Sequence, residues 1–340
     1  MDNCFSFDDL LLLDEHDEKE YVEDKQGISN VHWGQRKLLL SEILFLTKFY
    51  DCNVIPNPVI VYAGASPGNH IPFLSQLFPL LTFHLYDPQP FHIQSTEKIF
   101  IHQQLFTLSQ ANQWSGRLNV YFISDIRTAD AEKQKLEDHE QTIIKDMQLQ
   151  ASWYKTIKPV QALLKFRLPY PIAFLPLSFN YLDGWIFKQP WAPARSTETR
   201  LVPNNKMKIW QTKKYESQMF YHNTMIRTEQ KYQNAILDEQ ELVNDFDSCG
   251  ETNILSQYYK KCGLEANDEQ IKQLSRLITI KLNSGKKDEY NLEKLRANPN
   301  LIKERAKQSI AKREQIVQKQ KESRNGQIDK TYKQAVINKG

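Results

Sequence analysis

Apolar residues recur at helical spacing from Trp33 to about Tyr50, where Leu39, Leu40, Ile43, Leu44 and Phe49 fall on or near one face. Pro56 and Pro58 close that segment. Short apolar or β-branched runs follow at Val59–Ala63, Thr82–Tyr86, Lys98–His102, Leu118–Ser124, Gln161–Phe166, Gly184–Phe187 and Thr199–Val202. Runs of this kind suit strands buried on both faces. Helical stretches intervene, notably His70–Phe78 and Ala129–Thr156. Alternating β and α predicts an α/β fold with an open, doubly wound sheet. Residues 205–262 read as further helix and turn packed on it.

The two ends differ from this core. Residues 1–30 read as an irregular arm with one apolar patch, Leu10 to Leu13. Past Gly263 the composition turns to Lys, Gln and Glu, and Glu265–Leu282 and Leu292–Ser323 read as helices with mostly polar surfaces. The expected division is an arm over 1–30, a central domain over 31–262 and a basic tail over 263–340, helical or partly disordered.

Charge sharpens that division. The whole chain carries only +3, but residues 1–30 hold ten acids against two lysines, a net −8, and residues 301–340 a net +7. Such asymmetry suggests a nucleic-acid partner, although a solvated arm and a solvated basic helix would look the same. Four cysteines (Cys4, Cys52, Cys249, Cys262) form no C-x-x-C pair, which speaks against a disulfide framework and a zinc site; no metal is expected. The acidic N-terminus and the lack of a run of about 18 apolar residues predict a soluble, cytoplasmic protein without signal peptide or membrane span.

The chemistry-bearing residues lie at the ends of the predicted strands. Tyr62 lies within Val61-Tyr62-Ala63-Gly64-Ala65-Ser66-Pro67-Gly68, between a strand and a helix. Gly64 and Gly68 would let the backbone approach a ligand closely. Asp87 ends the next strand, where an acid commonly holds a ribose hydroxyl pair. A glycine turn alone is also just a tight turn; with the strand-terminal acid it favours a nucleoside cofactor. Asp125, in Ile123-Ser124-Asp125-Ile126-Arg127, ends another strand, where a helix cap or a surface pair with Arg127 would be the ordinary reading. Lys165 interrupts the apolar run 163–171, so it either snorkels to the surface or is buried with a lowered pKa. Glu198 begins a strand, and Lys37 alone is an ordinary surface lysine.

Lys37, Asp125, Lys165 and Glu198 together follow the K-D-K-E order of ribose 2′-O-methyltransferases. A hydroxyl attacking a sulfonium methyl must lose its proton, and a lysine can take it only when neutral. An unperturbed lysine titrates near ~10.4, and a working base needs roughly 7–8. A second lysine and desolvation supply that push, while the carboxylates orient both amines.

From about Phe5 to Cys262 the chain resembles the poxvirus family of cap-specific 2′-O-methyltransferases that also serve as poly(A) polymerase small, regulatory subunits. Five stretches carry the likeness: 34–40, 61–68, 123–127, 163–171 and Ala192-Pro193 through Glu198 to Leu201. The resemblance implies a Rossmann-like methyltransferase core with S-adenosyl-L-methionine held by Gln35, Tyr62, Gly64, Gly68, Asp87 and Arg127. It implies a catalytic tetrad of Lys37, Asp125, Lys165 and Glu198, with Lys165 the base. It also implies a cap pocket in which Tyr21 and Tyr170 sandwich the methylated guanine and Glu216 holds its edge. The acidic arm would thus contribute Tyr21 to that pocket. Capped mRNA is the implied substrate and a poly(A) polymerase catalytic subunit the implied partner, in the host cytoplasm and the virion. The family's second cap-binding acid is replaced by Ile172, and the arginine expected after Asp87 by Pro88-Gln89-Pro90. A non-catalytic cap- or RNA-binding subunit that stimulates a poly(A) polymerase is the alternative, as is a 2′-O-methyltransferase of ribosomal RNA.

Overall fold

Seven strands form one sheet in the order β3-β2-β1-β4-β5-β7-β6. They are β1 (Val59–Ala63), β2 (Thr82–Tyr86), β3 (Ile99–His102), β4 (Val120–Ser124), β5 (Gln161–Phe166), β6 (Ser178–Phe187) and β7 (Thr199–Gln211). The first five run parallel, and β7 lies antiparallel to both β5 and β6. The computed structural model describes residues 4–22, 33–51, 54–130, 132–172, 175–233 and 245–283. The helices are α1 (Gly34–Phe49), α2 (Ile71–Leu77), α3 (Leu108–Trp114), α4 (Leu136–Ile157), α5 (Thr212–Tyr221), α6 (Arg227–Glu229), α7 (Asp245–Lys261) and α8 (Asp268–Asn283). One π-helical segment, His222–Ile226, joins α5 to α6.

The alternation of side chains along a strand builds two core layers. On β1, Ile60 and Tyr62 face one layer, shared with Leu39 and Phe45 of α1, Leu255 of α7 and Ile278 of α8. Val61 and Ala63 face the other, shared with Ala111 of α3 and Met147 of α4. This is the doubly wound α/β arrangement expected of the sequence, in which ligands bind at the carboxyl ends of the strands.

Two local readings are corrected. The helix α3 escaped detection, since its seven residues are too few to show a clear period. The last two strands are longer than expected. In particular, 205–211 continues β7 rather than forming helix and turn. The strand passes through Pro203-Asn204-Asn205, with Asn205 at φ 66°. The facing strand accommodates this by shifting register between Leu182 and Gly184, and a Cβ on Gly184 would lie 2.0 Å from the Val202 carbonyl.

Both ends of the described chain join the core. Phe5, Leu10 and Leu11 are buried, and the arm pairs with the end of β6: Leu12 N–H donates to Ile186 O (2.8 Å) and Lys188 N–H to Leu10 O (2.7 Å). Ile271, Leu274 and Ile278 bury one face of α8. The expected helix Leu292–Ser323 lies outside the described residues. Among the described residues no helix is long and apolar enough to cross a membrane.

Candidate active site

Sheet register assembles the centre. Parallel pairing of Ser124 with Leu164 brings Asp125, just past β4, beside Lys165 on β5. Antiparallel pairing sets Arg200 opposite Lys165, and Glu198 lies just before β7. Lys37 reaches in from the first turn of α1. Flanking Glu198, the Thr197 carbonyl accepts a hydrogen bond from the Tyr215 hydroxyl (2.5 Å), and the Thr199 hydroxyl lies 2.9 Å from the Tyr215 hydroxyl oxygen.

All four tetrad side chains converge. Lys37 Nζ donates to Glu198 Oε1 at 2.7 Å. Lys165 Nζ stands 3.1 Å from Asp125 Oδ1 and 3.5 Å from Glu198 Oε2. Lys165 is therefore largely buried against both acids rather than snorkelling outward. Two arginines join them. Arg200 Nη1 is 2.6 Å from Asp125 Oδ1, and Arg127 Nη2 is 4.0 Å from Glu198 Oε2. Four basic side chains thus surround two carboxylates.

That imbalance sets the electrostatics. Burial alone would raise the Glu198 pKa, but the charges of Lys165, Lys37 and Arg200 hold it well below the carboxylate range. Asp125 is likewise lowered, burial being outweighed by Arg200 and Lys165. Burial lowers the Lys37 amine despite its pairing with Glu198.

Arg200 was not identified from the sequence. It is fully buried and touches both acids, with Nη2 3.5 Å from Glu198 Oε1. The signal was available: a charge inside the apolar strand 199–202, two residues from Glu198 and so on the same strand face.

Of the residues expected around a cofactor, Tyr62, Gly64, Gly68 and Asp87 lie at or just past the carboxyl ends of β1 and β2, and Gln35 lies in the first turn of α1. Gly64 has φ +79°, and a Cβ there would stand 2.7 Å from the Ile126 backbone nitrogen. Gly68 has φ +74°, with Ile93 3.1 Å from a would-be Cβ. Positive φ and the close approach of the Ile126 backbone at Gly64 and of the Ile93 side chain at Gly68 account for glycine at both positions. Asp87 accepts from Ser66 N–H (3.2 Å) and from Gln89 N–H (2.8 Å), so the Pro88-Gln89-Pro90 departure folds back onto the acid. Gln35 Oε1 lies 3.0 Å from His70 Nδ1, whose Nε2 is 3.0 Å from Glu42. The Tyr62 hydroxyl is buried, and burial, with Glu42 nearby, raises its pKa. Arg127 departs from this group, since its guanidinium lies between Glu198 and Asp146.

The three cap-pocket candidates are distributed less evenly. Tyr170 and Glu216 share a neighbourhood with the Arg167–Glu140 pair: the Arg167 guanidinium lies 4.2 Å from the Tyr170 ring, and Glu140 accepts from Tyr170 N–H (2.8 Å). Burial raises the Glu216 carboxyl, with Arg167 opposing. Tyr21 is half-exposed and packs edge-on to Phe220 at 5.2 Å. Ile172 packs against the apolar layer of α4.

Residues 4–297 match the family model described as poly A polymerase regulatory subunit. Over 216 residues the chain is 30% identical to the cap-specific mRNA (nucleoside-2′-O-)-methyltransferase of Myxoma virus (strain Lausanne), covering 58% of this chain and 62% of that protein. It is 34% identical over 216 residues to the protein of the same name from Fowlpox virus (strain NVSL), covering 57% of this chain and 68% of that one. The match thus spans less than two thirds of the myxoma relative's length. With the family model covering most of its length, the chain belongs to the poly(A) polymerase regulatory subunit family.

Proposed function

We propose that the protein is a cap-specific mRNA 2′-O-methyltransferase, acting on the ribose 2′-hydroxyl of the first transcribed nucleotide. The observation that carries this is the convergence of Lys37, Asp125, Lys165 and Glu198 at the carboxyl edge of the sheet. S-adenosyl-L-methionine would lie over the Gly64 turn, held by Gln35, Tyr62, Gly64, Gly68 and Asp87, with Arg127 at the edge nearest Glu198. The donor set fits such a molecule: Asp87 places a carboxylate just past β2, where a ribose hydroxyl pair is commonly held, beside the glycine turn at the end of β1. When bound, the sulfonium supplies the methyl group.

The chain's own residues do the rest. Lys165 Nζ, neutral, takes the proton of the attacking hydroxyl, and Asp125 and Glu198 then hold the ammonium that forms. Lys37 fixes Glu198, and Arg200 fixes Asp125. The remaining contribution is alignment of the acceptor oxygen. The surplus of cations suits a transcript whose phosphates flank the reacting ribose.

The cap pocket proposed here is built from Tyr170, Glu216 and Tyr21, the last delivered by the acidic arm 1–30. Residues 31–262 carry the methyltransferase site, and the stretch 301–340, with its net +7, supplies phosphate contacts. The family description favours a coexisting second role, stimulation of a poly(A) polymerase catalytic subunit in the cytoplasm. Transfer of labelled methyl to capped and uncapped RNA tests the main reading. Methylation of capped RNA that requires Lys165 supports it. RNA binding without transfer would leave only the stimulatory role.

A further inference from the structure

Two segments deliver the Lys37–Glu198 pair, and one buried carboxylate outside the cluster touches both. Arg36, next to Lys37 on α1, is buried; its Nε donates to Glu251 Oε2 of α7 at 2.8 Å. The same oxygen accepts from Trp191 Nε1 at 2.7 Å. Trp191 starts the loop that ends at Glu198, and it holds φ 61°, a conformation a bulky residue keeps only when its surroundings impose it. The two segments also meet directly: Trp33 N–H donates to Trp191 O (3.2 Å), and the two indoles stand 4.6 Å apart.

A second carboxylate one turn earlier grips the same loop. Asp247 pairs with Arg227 at 2.8 Å, and Arg227 donates to the carbonyls of Ala192 (2.9 Å) and Pro193 (3.4 Å). Asp247 and Glu251 are both fully buried on one face of α7. From the far side α8 completes the hold on Arg36, whose Nη1 donates to Thr279 Oγ1 and Nη2 to Ser275 Oγ, both at 2.8 Å. These polar residues sit on the otherwise apolar buried stripe of α8, where Arg36 is their partner.

We infer that Glu251, with Asp247, is a positioning residue that fixes the spacing of Lys37 and Glu198 by yoking α1 to the 191–198 loop. The inference rests on the tetrad assignment made above. Neither carboxylate approaches the reacting atoms; both act through Arg36, Trp191 and Arg227.

A double-mutant cycle in the full-length protein tests it. Single-turnover methyl transfer is measured for Glu251→Gln, Trp191→Phe, Lys37→Ala and the two doubles that include Lys37→Ala. Trp191→Phe removes the Nε1–H donor with the pyrrole ring but keeps an aromatic ring against Trp33, so it serves should Glu251→Gln fold poorly. Each single change at 251 or 191 should slow transfer roughly ten-fold or more, since small misplacements near the chemistry are costly. In the Lys37→Ala background the same changes should have little further effect. Equal losses with and without Lys37 would overturn the inference, because general loosening of the fold does not require that lysine. Wild-type transfer by Trp191→Phe would also overturn it. Wild-type transfer by Lys37→Ala alone would instead sink the tetrad assignment, and is read separately from the single variant.

Discussion

Arg200 Nη1 lies 2.6 Å from Asp125 Oδ1, closer than Lys165 Nζ, which stands 3.1 Å from the same oxygen. An arginine keeps its proton at any working pH. Asp125 therefore keeps a charged partner that does not depend on Lys165.

Removing that arginine should be costly. Arg200→Met leaves two buried carboxylates short of a partner, and breaking a buried pair from one side typically costs about 3–5 kcal/mol. Thermal unfolding should show a large fall in Tm and methyl transfer should be lost. Arg200→Lys should recover part of the stability but cannot fork between Asp125 and Glu198. Unchanged melting of Arg200→Met would show that the centre does not depend on it.

Lys165→Ala should abolish methyl transfer while cofactor affinity stays within a few-fold, because the amine acts on the acceptor. Lys165→Arg should be nearly as damaging, since a guanidinium does not release its proton. Turnover assays beside calorimetric titration of the cofactor separate the two effects. Near-normal turnover in either variant would remove Lys165 as base.

RNA capped with N7-methylguanine should bind more tightly than RNA with an unmethylated cap, the cation–π term being worth ~1–2 kcal/mol or more. The Glu216 carboxyl is raised by burial, so it protonates at a higher pH than an exposed glutamate would. Cap affinity should therefore weaken as pH falls through that raised range, and Glu216→Gln should flatten the dependence. Fluorescence titrations at several pH values check both. Equal binding of the two caps would remove the pocket assignment.

Lys188 is buried where the arm meets β6, and burial lowers its pKa to about 8 from 10.5. Between these values the unfolded chain holds the proton and the folded chain does not, so stability rises with pH across that window. The full swing is about 3 kcal/mol. Lys188→Met should raise stability at pH 7 and remove this contribution, as urea unfolding from pH 7 to 10 would show. A variant no more stable than the parent would mean the charged amine is already accommodated.

Much of the architecture was legible because parallel strands buried on both faces appear as uninterrupted apolar runs, and five of the seven were bounded to within a residue or two. The tetrad was legible because each member stands where a strand or helix presents it at one edge, so chain order translated into proximity. Arg200 was missed for the converse reason. Its place in an apolar strand marked it as unusual, but only the antiparallel register shows that it stands opposite Lys165. The yoke of Arg36, Trp191 and Glu251 depends on contacts between segments up to 215 positions apart, which no local pattern reveals. The packing of the Tyr21 ring on Phe220 is likewise a contact between distant segments that no local pattern reveals.

The pairing of Leu11 with Phe187 bears on how the molecule avoids its own kind. A terminal strand such as β6 offers unpaired amides and carbonyls to any chain that can add alongside. Residues 10–12 occupy the last of those groups, and Leu10 and Leu11 bury their side chains at the same place. Loss of the first dozen residues to a protease would therefore open a sticky edge flanked by exposed apolar surface, and self-association would follow.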